Sequence, residues 1–295
     1  MLSAAKRLFT QAQEGNTTAL AKLLTWLENS DPKQALSMTE LMQTKQAASR
    51  FGITGPPGAG KSTLVSRLIQ FLRDQNLKVG VIAVDPSSPF SGGAILGDRI
   101  RYADHSLDPR VFVRSLGTRG SLGGLSASAY LMLRAFDACG FDVVLIETVG
   151  VGQTELDVLH VADQVTVVLV PESGDSIQAM KAGLMEIADV FLVNKSDRPG
   201  ADSLAREIKN SVHDGESGKS PEVFSVVATQ GKGIEPWFQF VKDHIDSDQA
   251  LKNRTCPERL REEAKALLRW RWEQDVVKRL KAIKRPADLR KIVSK

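Results

Sequence analysis

An apolar run at residues 51–54 leads directly into Gly55-Pro56-Pro57-Gly58-Ala59-Gly60-Lys61-Ser62, after which Leu64, Leu68 and Leu72 recur at helical spacing. No other feature restricts the fold of this 295-residue chain as strongly. GxxxxGK[ST] between a strand and a helix is the pattern of a P-loop, in which glycines let the backbone wrap closely around phosphate groups. The amides of Gly58 to Thr63 then point inward, and the N-terminus of the following helix adds partial positive charge. Lys61 is expected to bridge the β- and γ-phosphates of a nucleotide, and Ser62 to ligate Mg²⁺. Gly55, Pro56, Pro57, Gly58, Ala59, Gly60, Lys61, Ser62 and Thr63 are therefore the first set of candidate nucleotide-binding residues.

A P-loop needs a parallel sheet, and the rest of the sequence supplies one. Short apolar runs at 51–54, 79–84, 111–113, 143–146, 165–170, 190–193 and 223–227 alternate with helix-length segments, the pattern of βαβ units. The predicted fold is α/β, a mostly parallel, doubly wound sheet of the P-loop NTPase type. Before it, Ala19, Leu20, Leu23, Leu24 and Leu27 form a helical stripe broken at Asn29-Ser30-Asp31-Pro32. After it, Leu260, Ala264, Leu267, Leu268, Val276, Val277, Leu280 and Ile283 recur at helical spacing among Lys and Arg. The expected organisation is an N-terminal helical extension at 1–49, a nucleotide-binding domain at 50–245 and a C-terminal helical arm at 246–295.

In doubly wound sheets ligands gather at the carboxyl ends of the strands, so the residues just beyond each run carry the chemistry. Glu147 ends the fourth run, followed by Thr148-Val149-Gly150. A carboxylate there suits the Walker B position and would hold Mg²⁺, with Gly150 offering an amide to the γ-phosphate. Asn194-Lys195-Ser196-Asp197 follows the sixth run as NKxD. Asp197 can accept guanine N1–H and N2–H₂ together, a pair of donors that adenine lacks, so GTP is favoured over ATP. Asn194 would brace the loop and Lys195 would lie along the base. Val227-Ala228-Thr229 closes the last run, where the amide of Ala228 is expected to meet guanine O6; Val227 stands where G proteins usually carry Ser. Residues 85–98, beginning Asp85-Pro86, read as a switch segment in which Asp85 or Asp98 completes the Mg²⁺ shell. The Gly-rich 118–124 reads equally well as a mobile loop or a tight connection.

Together, GPPGAGKST at 55–63, VDPSSPFSGGAILGDR at 84–99, TRGSLGGL at 118–125, ETVGVGQTE at 147–155 and NKSD at 194–197 resemble the MeaB/ArgK-type, methylmalonyl-CoA mutase-associated P-loop GTPases of the SIMIBI class. The likeness is dense from about 50 to 235. It implies a GTP-hydrolysing chaperone, a homodimer through its C-terminal arm, that gates adenosylcobalamin loading into an acyl-CoA mutase and protects or reactivates that enzyme. It also implies that Asp85, Asp98 and Glu147 are Mg²⁺-associated carboxylates and that residues 171–181 form a further switch containing Asp175 and Lys181, with Lys181 acting in stimulated hydrolysis. Glu172-Ser173 and Asp175-Ser176 depart from the small and acidic residues usual at those positions. The water-orienting Gln directly after the DxxG glycine is absent, and Gln153 lies three residues beyond Gly150. Slow intrinsic hydrolysis, accelerated by a partner that orders the switches, is the expectation.

Composition restricts the alternatives. The net charge of +4 hides an asymmetry: residues 251–295 carry 15 Lys/Arg against 6 Asp/Glu, so the remainder is slightly acidic. A basic helical face in an arm suits dimerisation or docking better than nucleic-acid binding, which is not expected. With two cysteines, Cys139 and Cys256, neither a disulfide framework nor a closed zinc site is expected. His105, His160, His213 and His244 are dispersed, which weighs against a metallochaperone GTPase delivering a metal ion, the main alternative function. A P-loop small-molecule kinase is the other alternative. No apolar stretch approaches the length of a membrane span, no secretory signal is recognisable, and a cytoplasmic location is expected.

Overall fold

The computed structural model describes residues 2–85, 102–117, 127–148, 160–172, 188–213, 221–247 and 249–281. Seven strands, β1 (Ser49–Thr54), β2 (Val79–Asp85), β3 (Val111–Gly117), β4 (Val143–Thr148), β5 (Gln164–Leu169), β6 (Val190–Val193) and β7 (Glu222–Ser225), form one sheet in the order β3-β2-β4-β1-β5-β6-β7. Every adjacent pair is parallel. β1 lies between β4 and β5, where the order of strands turns back on itself, so the loop leaving β1 opens into the crevice at the switch point. All residues of β1 and β4 are buried, as expected of central strands covered on both faces.

One face of the sheet is covered by α4 (Lys61–Asp74) and by α7 (Glu235–Asp246), with Leu64, Leu68, Leu72, Trp237 and Val241 packed on Ile53, Val81 and Leu145. The other is covered by α5 (Ala127–Ala138) and α6 (Ala201–His213). The N-terminal helices α1 (Leu2–Gln13), α2 (Thr17–Asn29) and α3 (Pro32–Leu36) join that second cluster. Leu20, Leu23, Leu24 and Leu27, the sequence stripe, are all buried there. Asn16 caps α2 through the Ala19 amide at 2.9 Å, and Asp31 caps α3 through Lys33 at 3.0 Å, which is why the helices break where the Asn and Asp stand.

All seven sequence-predicted runs are strands, with two instructive shifts at their ends. β3 continues to Gly117 rather than stopping at 113, because an edge strand tolerates half-exposed Arg114 and Ser115; Arg114 pairs with Glu28 of α2. β7 stops at Ser225 rather than 227, because Val227 turns to pair antiparallel with Lys232, its amide on the Lys232 carbonyl at 2.9 Å.

The C-terminal segment forms α8 (Ala250–Thr255) and the 25-residue α9 (Pro257–Lys281), divided at Cys256-Pro257. The apolar residues that recur along this arm divide between two environments. Ala266, Leu267 and Trp270 pack on the second cluster, whereas Leu260, Leu268, Trp272 and Leu280 stay exposed, Trp272 at 67%. Adjacent Leu267 and Leu268 therefore face in different directions, as consecutive helical positions must. Among the described residues no helix is long and apolar enough to cross a membrane.

Candidate nucleotide site

The candidate site is built at the carboxyl edge, where β1 ends at Thr54 and β4 at Thr148. Their buried hydroxyls are joined, Thr148 Oγ1 donating to Thr54 Oγ1 at 2.9 Å, so the two loops leave the sheet side by side. Gly55 turns away with φ +135°, and a Cβ there would sit 2.1 Å from the Val168 carbonyl oxygen of β5. Only glycine allows that passage over the neighbouring strand. Pro57 and Gly58 are exposed at the crest. Gly60, φ +90°, begins α4 without a side-chain cap. The amides of that first turn therefore have no side chain of the cap residue folded over them, which is the condition for receiving an anion.

Lys61 is 6% exposed and turns back over the loop, its Nζ donating to the carbonyls of Gly55 at 2.7 Å and Pro56 at 3.0 Å. An ammonium held on neutral carbonyls can exchange them for phosphate oxygens with a gain in charge complementarity. Ser62 Oγ donates to Glu147 Oε1 at 2.7 Å. Glu147 is 2% exposed and stands in register with Ile53 of β1 and Ala83 of β2, so the strand ladder itself delivers the carboxylate to the first turn of α4. Thr63 is exposed beside it. Asp85 is the last residue of β2, in register with Gly117.

Ser62 and Glu147 supply hard oxygen donors at a helix N-terminus, a set that fits Mg²⁺ and does not suit softer ions. Among the described residues no group of three or more His, Cys, Asp and Glu side chains comes together. His105 is buried with Nε2 2.8 Å from Ser66 Oγ, and His244 is half-buried edge-on to Phe51. Asp98, Gly150, Gln153, Asp175 and Lys181, expected as switch, metal or hydrolytic residues, lie outside the described residues, as does the Gly-rich 118–124.

The NKxD segment meets the P-loop directly. Asn194 is buried, its Nδ2 donating to the Ala59 carbonyl at 2.7 Å and its Oδ1 accepting from the Ala228 amide at 3.0 Å. This one side chain ties the P-loop, the loop after β6 and the loop after β7 together. It also explains Gly60, since a Cβ there would fall 2.3 Å from Asn194 Nδ2. Lys195 takes a left-handed backbone, φ +56°, and Asp197 is exposed beyond it. The loop after β7 is fastened by the Ser196 amide on the Val226 carbonyl at 3.0 Å. Val227 and Ala228 are buried, and Thr229 is exposed at the turn.

The Ala228 amide, read from the sequence as the donor to guanine O6, donates to Asn194 Oδ1 in this structure. Two further residues reach this edge from no recognised motif. Arg67 of α4 donates through Nη2 to the Thr229 carbonyl at 2.6 Å and through Nε to the Ala228 carbonyl, bracing the same turn. Tyr102, 2% exposed, donates its phenol to Glu147 Oε2. The sequence carries no signal for Arg67, which reads as a solvent-side helix residue. For Tyr102 the only hint is that the chain has just 2 tyrosines.

The family model described as methylmalonyl Co-A mutase-associated GTPase MeaB matches residues 20–285. A protein of Pyrococcus horikoshii named as a GTPase is 46% identical over 272 residues, 88% of this chain and 84% of that one. The mouse protein named methylmalonic aciduria type A homolog, mitochondrial, is 36% identical over 205 residues, 65% of this chain and 49% of its own length. Among solved structures, one described as LAO/AO transport system kinase superposes with a TM-score of 0.69 over 99% of this chain and 97% of that one; at 23% identity this shows a shared fold.

Proposed function

This chain belongs to the MeaB family of methylmalonyl-CoA mutase-associated GTPases and is a GTPase, and from that premise we propose that it uses GTP binding and hydrolysis to gate adenosylcobalamin loading into an acyl-CoA mutase and to protect or reactivate that enzyme. The observation that carries the nucleotide half of the reading is Asn194, which binds the Ala59 carbonyl and the Ala228 amide at once and so locks the phosphate and base loops into one unit. The mutase half rests on family membership.

In this reading the P-loop amides and Lys61 hold the β- and γ-phosphates. Lys61 leaves the carbonyls of Gly55 and Pro56 for phosphate oxygens as nucleotide arrives. Ser62 and Glu147 would hold Mg²⁺, with Asp85 and Asp98 as further carboxylates, and the ion would supply positive charge to offset the negative charge developing in phosphoryl transfer. Asp197 accepts the two guanine donors. With the Ala228 amide engaged by Asn194, the O6 donor is assigned to the next amide of the turn, that of Thr229, whose position Arg67 fixes.

Hydrolysis forms a bond from water to the γ-phosphorus and breaks the bond to the β–γ bridging oxygen, giving GDP and phosphate. Positioning and charge stabilisation supply most of the rate, and no strong base is required. Gly150, Gln153, Asp175 and Lys181 are the residues through which a bound mutase would order the site, so turnover is slow without it. The exposed Leu260, Leu268 and Trp272 of α9 support a homodimer through the arm.

GTP turnover by the purified protein, alone and with a panel of adenosylcobalamin-dependent acyl-CoA mutases, tests the reading. One mutase is expected to raise the rate by roughly 10-fold or more and to co-purify under GTP but not GDP. Equal turnover and no nucleotide-dependent capture across the panel would overturn the chaperone role.

A further inference from the structure

We propose that Tyr102 is a positioning residue that sets how Glu147 presents its carboxylate and thereby favours Mg²⁺ over larger cations. The inference rests on the GTPase reading of the carboxyl edge, in which Glu147 and Ser62 hold the ion.

Residues 102–108 run alongside α4 and are tied down at three points. Tyr102 donates to Glu147 Oε2, His105 Nε2 lies 2.8 Å from Ser66 Oγ, and Asp108 Oδ2 accepts from Arg73 Nε at 2.7 Å. Ser62, Ser66 and Arg73 are separated by four and seven positions, so they share one face of α4. The segment thus descends the helix in step with it, from the phosphate end to the far end. Tyr102 is packed among the apolar side chains beneath α4 and is 2% exposed, so its ring has a fixed seat and its hydroxyl a fixed place. Desolvation pulls the Asp108 carboxyl upward, but the Arg73 guanidinium and the Arg110 amide outweigh it and hold the group below its ordinary range.

The consequence lies in the two oxygens of Glu147. Ser62 stands on Oε1 and the Tyr102 phenol on Oε2. Donors on both oxygens fix the plane of the carboxylate, and hydrogen bonds to an ionised acceptor are the strong ones. A phenol also stays a neutral donor at neutral pH, so it orients the carboxylate without cancelling its charge. With the phenol on Oε2, the oxygen left toward a cation or its bound water is Oε1, shared with Ser62, which is itself a proposed ligand. Mg²⁺ is satisfied by that, since it keeps several waters and a strict octahedron. Ca²⁺ gains from carboxylates that chelate through both oxygens. Tyr102 therefore costs Ca²⁺ an oxygen that Mg²⁺ does not use.

Tyr102→Phe keeps the buried ring and removes only the hydroxyl. The probe is a fluorescent, non-hydrolysable GTP analogue whose equilibrium binding to the full-length protein is titrated with Mg²⁺ and, separately, with Ca²⁺. The expected result is a Mg²⁺ midpoint raised by about tenfold, a Ca²⁺ midpoint unchanged or lowered, and so a narrowed preference. Unchanged midpoints, or both shifted by one factor as a general loosening would produce, would overturn the inference. Wild type and Glu147→Gln separate the two layers of the argument. If wild-type binding does not depend on a divalent ion, or Glu147→Gln leaves the Mg²⁺ midpoint in place, the reading of the site itself fails. If Glu147→Gln shifts it and Tyr102→Phe does not, only the role of Tyr102 fails.

Discussion

The two ends of the same sheet treat buried charge in opposite ways. At the carboxyl edge Lys61 rests on neutral carbonyls and Ser62 on one oxygen of Glu147, partners that the proposed function would exchange for a phosphate and an ion. At the amino edge Asp163, whose side chain is fully buried, accepts from the Arg50 amide at 2.8 Å, Asn253 at 3.0 Å, Arg254 at 2.9 and 3.0 Å and Arg259 at 2.8 Å. Arg50 in turn pairs with Asp137 of α5, and Arg254 reaches the Ala48 carbonyl at 2.7 Å. These groups fasten α8 and the start of α9 beneath β1 and β5, and the Arg134–Glu263 pair adds a second tie. A buried charge is tolerated in either place, but at one end it is saturated for good and at the other it is kept ready for a partner from outside. Stability and turnover should therefore respond to different residues.

Asp163→Ala should have the largest effect, a loss of about 3–5 kcal/mol, because it takes the only carboxylate paired with half-buried Arg259 among the described residues and leaves Arg254 with Asp137 at 3.9 Å alone. Chemical denaturation reads it, and GTP affinity of the folded fraction should stay near that of wild type. A small stability loss would mean that the amino-edge cluster is no clamp. Lys61→Ala should reverse the pattern, lowering turnover by about 100-fold or more while shifting the melting temperature far less than Asp163→Ala does. Parallel losses in both measurements would erase the distinction between the two ends.

The smallest expected effect is with pH. Burial pulls the Asp163 carboxyl upward, but Arg254, Arg259 and the Arg50 amide outweigh it and hold the group below its ordinary 3.8. A depressed carboxyl contributes stability that is complete above its unfolded value and is lost as pH falls through the folded one. His244, near the same cluster, is pushed below its ordinary 6.5 mainly by desolvation. For a base held neutral, the loss begins as pH falls through 6.5, where the unfolded chain takes up the proton first. Stability measured from pH 7 downward should therefore fall in two stages, a shallow one below 6.5 that His244→Gln removes and a steeper one below 3.8 that Asp163→Asn removes. A single stage unaffected by His244→Gln would exclude the first.

Much of the carboxyl edge was legible in advance because its parts are local. A strand, a glycine-rich turn and a helix lie within 26 residues from Ser49 to Asp74, and positive φ angles at Gly55 and Gly60 favour glycine at both. Glu147 could be placed because a carboxylate that ends a buried apolar run is costly to bury unless a cation or hydrogen-bond donors meet it. Hydrogen bonds across long sequence separations left no trace of this kind. Arg67 braces a turn 161 residues away and Tyr102 meets Glu147 45 residues away, and neither sits in a pattern with a period. The amino-edge cluster was equally hidden, since Asp163, Arg254 and Arg259 read as ordinary surface charges until α8 and the start of α9 are brought beneath the sheet.

Sequence alone thus determined the seven strands, their alternation with helices, and the loops to which phosphate and guanine chemistry is proposed to belong, because hydrophobic period and turn chemistry act between near neighbours. Tertiary structure decided which donor occupies each oxygen of Glu147, which amide of the turn after β7 is already engaged by Asn194, and which apolar residues of α9 face the core. Those depend on strand register and helix rotation, which are set only when distant segments compete for the same buried surface.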